Sequence, residues 1–185
     1  IALRKSTEME ANAVAYRDLG NAFYGKAFED KDEHSQENFK SAIAAYKKAM
    51  ELDIDFTEMY GWLGLAYVQQ GRAIEAERSA EKAEANFVPE NMMARLYFGI
   101  ADLYRYNDVK KYAKINFQKV IAIDDAPVNI LAYSHFYLGD KKQAYQILRD
   151  NLTDAIDDDD NVADAYFSLA ALFSKDKKID DALIN

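Results

Sequence analysis

Residues 60–76 read YGWLGLAYVQQGRAIEA, and residues 166–182 read YFSLAALFSKDKKIDDA. Both stretches set out the same order of side chains. An aromatic comes first, an aliphatic three positions on, a small residue beside it, a second aromatic at position seven, and an alanine at the end. In the first stretch these are Tyr60, Leu63, Gly64, Tyr67 and Ala76; in the second, Tyr166, Leu169, Ala170, Phe173 and Ala182. Residues at i, i+3 and i+7 share one face of an α-helix, and the small residue on that face lets another backbone come close.

Working outward, the grouping recurs as Tyr16, Leu19, Gly20 and Phe23, and as Tyr97, Ile100, Ala101 and Tyr104, with a weaker copy at Val128, Leu131, Ala132 and His135. Each copy is followed by a second amphipathic stretch with its own alanine: Ala42, Ala76, Ala113, Ala144 and Ala182. Four units keep an offset of 12 from small residue to alanine, and the first has 22, which assigns it a ten-residue insertion within 25–38. That segment, GKAFEDKDEHSQEN, is charged and helix-compatible, so it is expected to lengthen the first helix pair and its turn. Tyr46, Phe117 and Leu148 follow the alanine by one turn as bulky packing residues, with Ala80 the small exception.

Helix ends are marked locally. Gly71 and Gly139 sit where a left-handed residue ends a helix cheaply, and Pro127 is placed to open the first helix of the fourth unit. Asp53, Asp55, Asp124, Asp125 and the run Asp157 to Asp160 fall between units, where carboxylates favour the N-terminus of the next helix.

This pattern resembles the tetratricopeptide repeat, a helix–turn–helix unit with an aromatic, Leu, Gly or Ala and Tyr on its first helix and Ala with an aromatic on its second. The resemblance implies an all-α, right-handed superhelix of about five units, the last incomplete. The expected boundaries are an extension at 1–12 and then one solenoid domain, 13–185, with units at about 13–56, 57–93, 94–124, 125–162 and 163–185. Ile179, Leu183 and Ile184 are expected to lie on an open edge of the last unit.

It further implies that the unused face of the first helices lines a concave peptide-binding groove. Counting from each small residue gives Arg17, Asn21 and Tyr24; Gly61, Trp62, Leu65 and Val68; Arg95, Phe98, Asp102, Arg105 and Tyr106; Asn129, Ile130, Tyr133, Phe136 and Tyr137; and Phe167, Ala171 and Ser174. Trp62, Phe98, Tyr133 and Phe136 are the expected apolar anchors, with Arg17, Arg95 and Arg105 orienting carboxylates, because aromatics and arginine contribute most binding energy per residue. The carboxylate clamp of some family members is matched at Arg17 (where the clamp has lysine), Gly20, Asn21 and Arg95. Trp62 and Gly99 break it, so clamp binding is not expected.

Composition bounds the rest. Of 185 residues, 50% are hydrophobic and 30% charged, a globular balance, and only seven Gly and two Pro leave little turn chemistry for a sheet-rich fold. A net charge of −9 opposes phosphate-backbone binding and anionic membranes, so no nucleic-acid or direct membrane partner is expected. Zero Cys removes disulfides and thiolate chemistry. His135 stands at a packing position and His34 in the polar insertion, and no phosphate loop, zinc motif or nucleophile elbow occurs. The Asp157–Asp160 run lacks the alternating ligands and turn glycine of a calcium loop.

The expectation is therefore a non-enzymatic protein- or peptide-binding scaffold without cofactor or metal. Two alternatives remain open: a homo-oligomeric assembly protein using the last unit's edge, and a sensor module of a larger protein. Because the sequence starts at Ile1 and not Met, the compartment stays open, with cytoplasm the default and export or the periplasm the alternative.

Overall fold

The computed structural model describes residues 2–29, 34–53, 55–157 and 162–184, with side-chain environments for 12–29, 34–53, 55–156 and 162–177. Among these are nine helices and no strand: α1 (Ala2–Glu29), α2 (His34–Leu52), α3 (Met59–Gln69), α4 (Ala73–Ala85), α5 (Glu90–Tyr106), α6 (Lys110–Ile121), α7 (Val128–Tyr137), α8 (Lys141–Asp157) and α9 (Val162–Ile184). Odd and even helices pair within units 1–4, and each unit packs on the next.

The repeating residues are the core. Ala42, Ala76, Ala113 and Ala144 are buried, as are Tyr46, Ala80, Phe117 and Leu148 one turn later. The small residues sit where neighbours close in: a Cβ on Gly20 would lie 2.4 Å from the Tyr46 ring, and one on Gly64 2.7 Å from Leu96 Cδ2. No unit could bury these faces alone, so stacking makes the core.

Four helices end in the same way. Gly71 (φ 71°), Phe87 (φ 56°), Asp108 (φ 56°) and Gly139 (φ 93°) all adopt the left-handed region directly after a helix's C-cap residue. In each case the next residue's N–H reaches back five residues: Arg72 to Tyr67 O, Val88 to Ala83 O, Val109 to Tyr104 O and Asp140 to His135 O, at 2.8–3.1 Å. These are Schellman closures, which satisfy carbonyls that the helix end would otherwise orphan.

Several expectations need correction. The fifth unit is not a helix–turn–helix: α9 runs unbroken from 162 to 184, through the place where a turn should precede Ala182. The segment Ser174 to Lys178 holds no glycine such as follows α3 and α7, and its Asp176, unlike Asp108 after α5, stays helical with its carboxylate held by Tyr145 and Lys141 of α8. The buried face of α9 also differs: Ala165 and Leu172 are buried, whereas Tyr166, Ala170 and Phe173 are exposed. Residues 2–12 of the extension belong to α1; the described parts of the insertion, 25–29 and 34–38, lengthen α1 and α2 as expected. Pro127 stands one residue before α7, at its N-cap, as Pro89 does before α5. Asp53 closes a local turn by accepting the Asp55 N–H at 3.0 Å and caps no helix, while Asp140 accepts the Gln143 N–H at 3.2 Å and caps α8. Residues 158–160 of the aspartate run, the side chains of Ile179, Ala182, Leu183 and Ile184, and residues 30–33 of the insertion lie outside the described residues.

Candidate peptide-binding groove

The first helices of successive units lie side by side, α3 against α5 and α5 against α7. In α3 and α5 the i, i+3, i+7 face is largely spent on the core, whereas Tyr16 and Leu19 of α1 and Val128 of α7, expected on the same face, are exposed; the remaining face opens onto a cavity of about 680 Å³ lined by residues of α1, α3, α5 and α7 alone. Nine expected groove residues meet there: Tyr24, Trp62, Leu65, Val68, Arg95, Phe98, Asp102, Tyr106 and Ile130.

The aromatic wall is built by edge contacts. Tyr24 sits 5.7 Å from Trp62 at 72°, and also meets Phe28 and Phe39 at 5.2 and 5.5 Å, while Phe98 lies 5.8 Å from Phe117 and 6.4 Å from Tyr133. Rings fixed this way keep their faces available to a ligand without an ordering cost. Burial pushes the Tyr24 phenol up to about 12, against the opposing pull of the Arg95 guanidinium.

Charge in the cavity is asymmetric. Asp102 is held by Arg105, with Oδ1 at 2.6 Å from Nη2 and 2.8 Å from Nε. Arg95 is exposed and has no carboxylate within ion-pair distance among the described residues. One unneutralised guanidinium therefore stands in a mostly apolar, aromatic setting, where an incoming carboxylate would be held more strongly than in open water.

The other expected residues lie elsewhere. Arg17 pairs with Asp18 at 2.9 Å and Glu58 at 3.7 Å and covers the Phe56 ring, tying α1 to the following turn. The Asn21 carboxamide oxygen accepts the Tyr46 hydroxyl at 2.9 Å, so it completes the core. Arg105 stacks on Tyr137, 4.7 Å from its ring centre, and Lys175 of α9 donates to the Tyr137 hydroxyl at 3.0 Å and lies over Tyr133. Asn129 lines a separate small cavity against α8 and α9. Phe167 is 75% exposed on α9. Phe136 is the clear error: at 4% exposure it packs with Ala132, Leu148 and Leu172 and is no surface anchor. Phe136 lies four residues after Ala132, on the same face of α7, and so joins the same core cluster.

Gln69, Asn91, Met92, Gly99 and Leu103 complete the wall without having been expected there. Met92 was within reach, because the three-residue step through Phe98 and Arg95 arrives at it one turn further back. Gln69 sits five after Gly64, the alternative to Val68 in the same count. Asn91 and Leu103 carry no such signal. Among the described residues no group of three or more His, Asp or Glu is placed to hold a metal ion, and no helix is long and apolar enough to cross a membrane.

The sequence profile of the TPR repeat matches residues 31–71, which span α2 and α3 and so bridge the first and second units. The fold is similar to the N-terminal domain of stress-induced protein-1 (STI-1) from C. elegans, with 20% identity and a TM-score of 0.53 over 70% of this chain and 96% of that one. The chain therefore carries a tetratricopeptide-repeat match over residues 31–71 and has the fold of a tetratricopeptide solenoid. The crystal structure of MamA protein is also similar, at 20% identity and a TM-score of 0.49, over 93% of this chain and 86% of that one. No curated protein sequence matches the chain. Within this tetratricopeptide array, the groove is the face left over by the repeat's own packing rule.

Proposed function

We propose that the protein is a non-enzymatic interaction scaffold that holds a peptide segment of a partner protein in the concave groove of α1, α3, α5 and α7. The observation that carries this reading is Arg95, without an acidic partner among the described residues, set among Tyr24, Trp62, Leu65, Met92, Phe98 and Tyr106. An apolar side chain flanked by a carboxylate matches both parts of that surface. The ring contacts support it further, because a preformed groove loses little freedom on binding. With a net charge of −9, long-range repulsion disfavours acidic partners, so the carboxylate is selected locally, by Arg95, and that local contact weakens as salt rises.

The chain's one tryptophan, Trp62, lies in this wall and reports occupancy directly. Peptides selected by display against the protein should shift Trp62 emission on titration. Phe98→Ala should weaken them generally, and Arg95→Ala should weaken the acid-bearing ones selectively. Selected peptides that bind with Trp62 emission unmoved and with full affinity for Phe98→Ala would take the site out of the groove.

A further inference from the structure

Of the four Schellman closures, three use residues suited to the left-handed region, Gly71, Asp108 and Gly139; the fourth, between units two and three, uses Phe87 at φ 56° with 95% of its surface exposed. This position is doubly unfavourable for a monomer, since a bulky residue holds a strained backbone angle and its ring is left in water. Beside the ring is a cavity of about 510 Å³ whose apolar lining includes Val88, Met93, Tyr97, Ala122 and Ile123. The Tyr97 side chain is buried at one end of the cavity, with the Glu84 carboxylate beside its hydroxyl. Glu84 and Glu90 stand on one part of the lining and Lys119, 4.4 Å from the centre of the Tyr97 ring, on another.

We propose that this turn is a self-association site, in which Phe87 of each of two copies enters the cavity of the other about a two-fold axis. A protruding ring next to an apolar hole on one face is what an isologous contact needs, because the same patch must supply both knob and socket. The charges suit a second copy as well. A two-fold contact brings Lys119 of one chain towards Glu84 and Glu90 of the other, so the patch is complementary to itself. The site is independent of the concave groove, whose lining shares no residue with it.

The contact is small and both copies carry a charge of −9, so it is a weak association, visible at high protein concentration and strengthened by salt that screens the net repulsion. Sedimentation velocity across a concentration series tests it. The parent should move from 21.1 kDa towards twice that mass as concentration rises. Phe87→Gly, which suits the backbone angle better and so folds at least as well, should remain monomeric throughout, and Lys119→Glu should lower the association at least several-fold. A parent that stays monomeric to its solubility limit overturns the proposal, and so does an association that Phe87→Gly leaves intact.

Discussion

Replacing Phe87 by glycine should stabilise the protein, although it deletes a large hydrophobic side chain. The left-handed region costs an L-residue about 1–2 kcal/mol, and glycine is free of that cost. Against it stands glycine's greater freedom in the unfolded chain, which takes back about 0.4–1 kcal/mol. The lost ring contributes little, because full burial of a phenylalanine is worth about 1.5–3 kcal/mol and this one is 95% exposed. The balance is a gain of about 0.5–1 kcal/mol. Phe87→Asn, which tolerates the same angle without glycine's chain entropy, should gain a similar amount. Gly71→Ala is the mirror experiment: no atom lies within 4 Å of the added Cβ, so a loss of about 1 kcal/mol there would be due to φ 71° alone.

For a chain of this length about 1 kcal/mol corresponds to roughly 2–4 °C in Tm, measurable by calorimetry on dilute protein, where self-association is absent. Repeat arrays can depart from two-state unfolding, so amide exchange at the α4–α5 junction should be followed alongside, with slower exchange expected in both variants. A fall in Tm for both Phe87→Gly and Phe87→Asn would refute the reasoning, since it would mean that the ring contributes packing or that the backbone there is not strained.

Gly64→Ala should destabilise by about 1–3 kcal/mol through overpacking, because its Cβ would come within 2.8 Å of both Leu96 methyls; urea denaturation reads it. Phe136→Ala should cost about 3–5 kcal/mol and Phe167→Ala less than about 0.5 kcal/mol, the contrast following from 4% against 75% exposure. The Tyr24 phenol sets an alkaline limit. Its folded pKa is raised from 10.0 to about 12, so its contribution is fully present below pH 10 and is lost as pH rises from there towards 12, which phenolate absorbance and helicity followed together in the parent and in Tyr24→Phe would separate. The Asp176 carboxyl is held below its ordinary range by hydrogen bonds from Lys141 and Tyr145. Its contribution is present above the ordinary carboxylate pKa and lost as pH falls through the depressed value, so exchange in α9 should quicken on acidification more in the parent than in Asp176→Asn.

The paired helices were legible in the sequence because each depends on a short-range rule repeated several times. A period of i, i+3, i+7 defines one face, and a constant offset to the next alanine fixes the length of each helical hairpin. Where one instance is weak, as at Val128 to His135, its neighbours supply the register, and Ala132 and Ala144 are buried as the pattern requires. The fifth unit shows the limit of this reasoning. Ala170 and Ala182 keep the spacing of 12, yet α9 goes straight through, with Asp176 between them held by Tyr145 and Lys141 of α8 where Asp108 closes α5. Spacing states where a turn would fit and does not by itself make one form. In the groove, the count found Tyr24, Trp62, Leu65, Arg95 and Phe98 because those positions follow from the helix alone. It failed at Phe136, Arg17 and Asn21, whose surroundings are set by helices distant in sequence: α9 for the first, the turn before α3 for the second and Tyr46 of α2 for the third.

The repeat separates the residues that hold the array together from those that face outward, and this changes what an unusual residue means in each place. A groove position such as Arg95 is exposed and makes no core contact, so its identity is almost free of folding cost and any residue could stand there. Its presence is informative only through what surrounds it, a set of rings and methyls that gives a lone cation no internal partner. Phe87 is the opposite case. Its backbone angle is dictated by the Schellman closure whatever its side chain, so glycine or asparagine would serve folding better. Function is therefore better inferred at Phe87 from strain and exposure together, and at Arg95 from the company it keeps. If Phe87→Gly proved more stable and monomeric while groove binding was unchanged, the two surfaces would be shown to act independently, one gathering copies of the scaffold and the other holding its peptide.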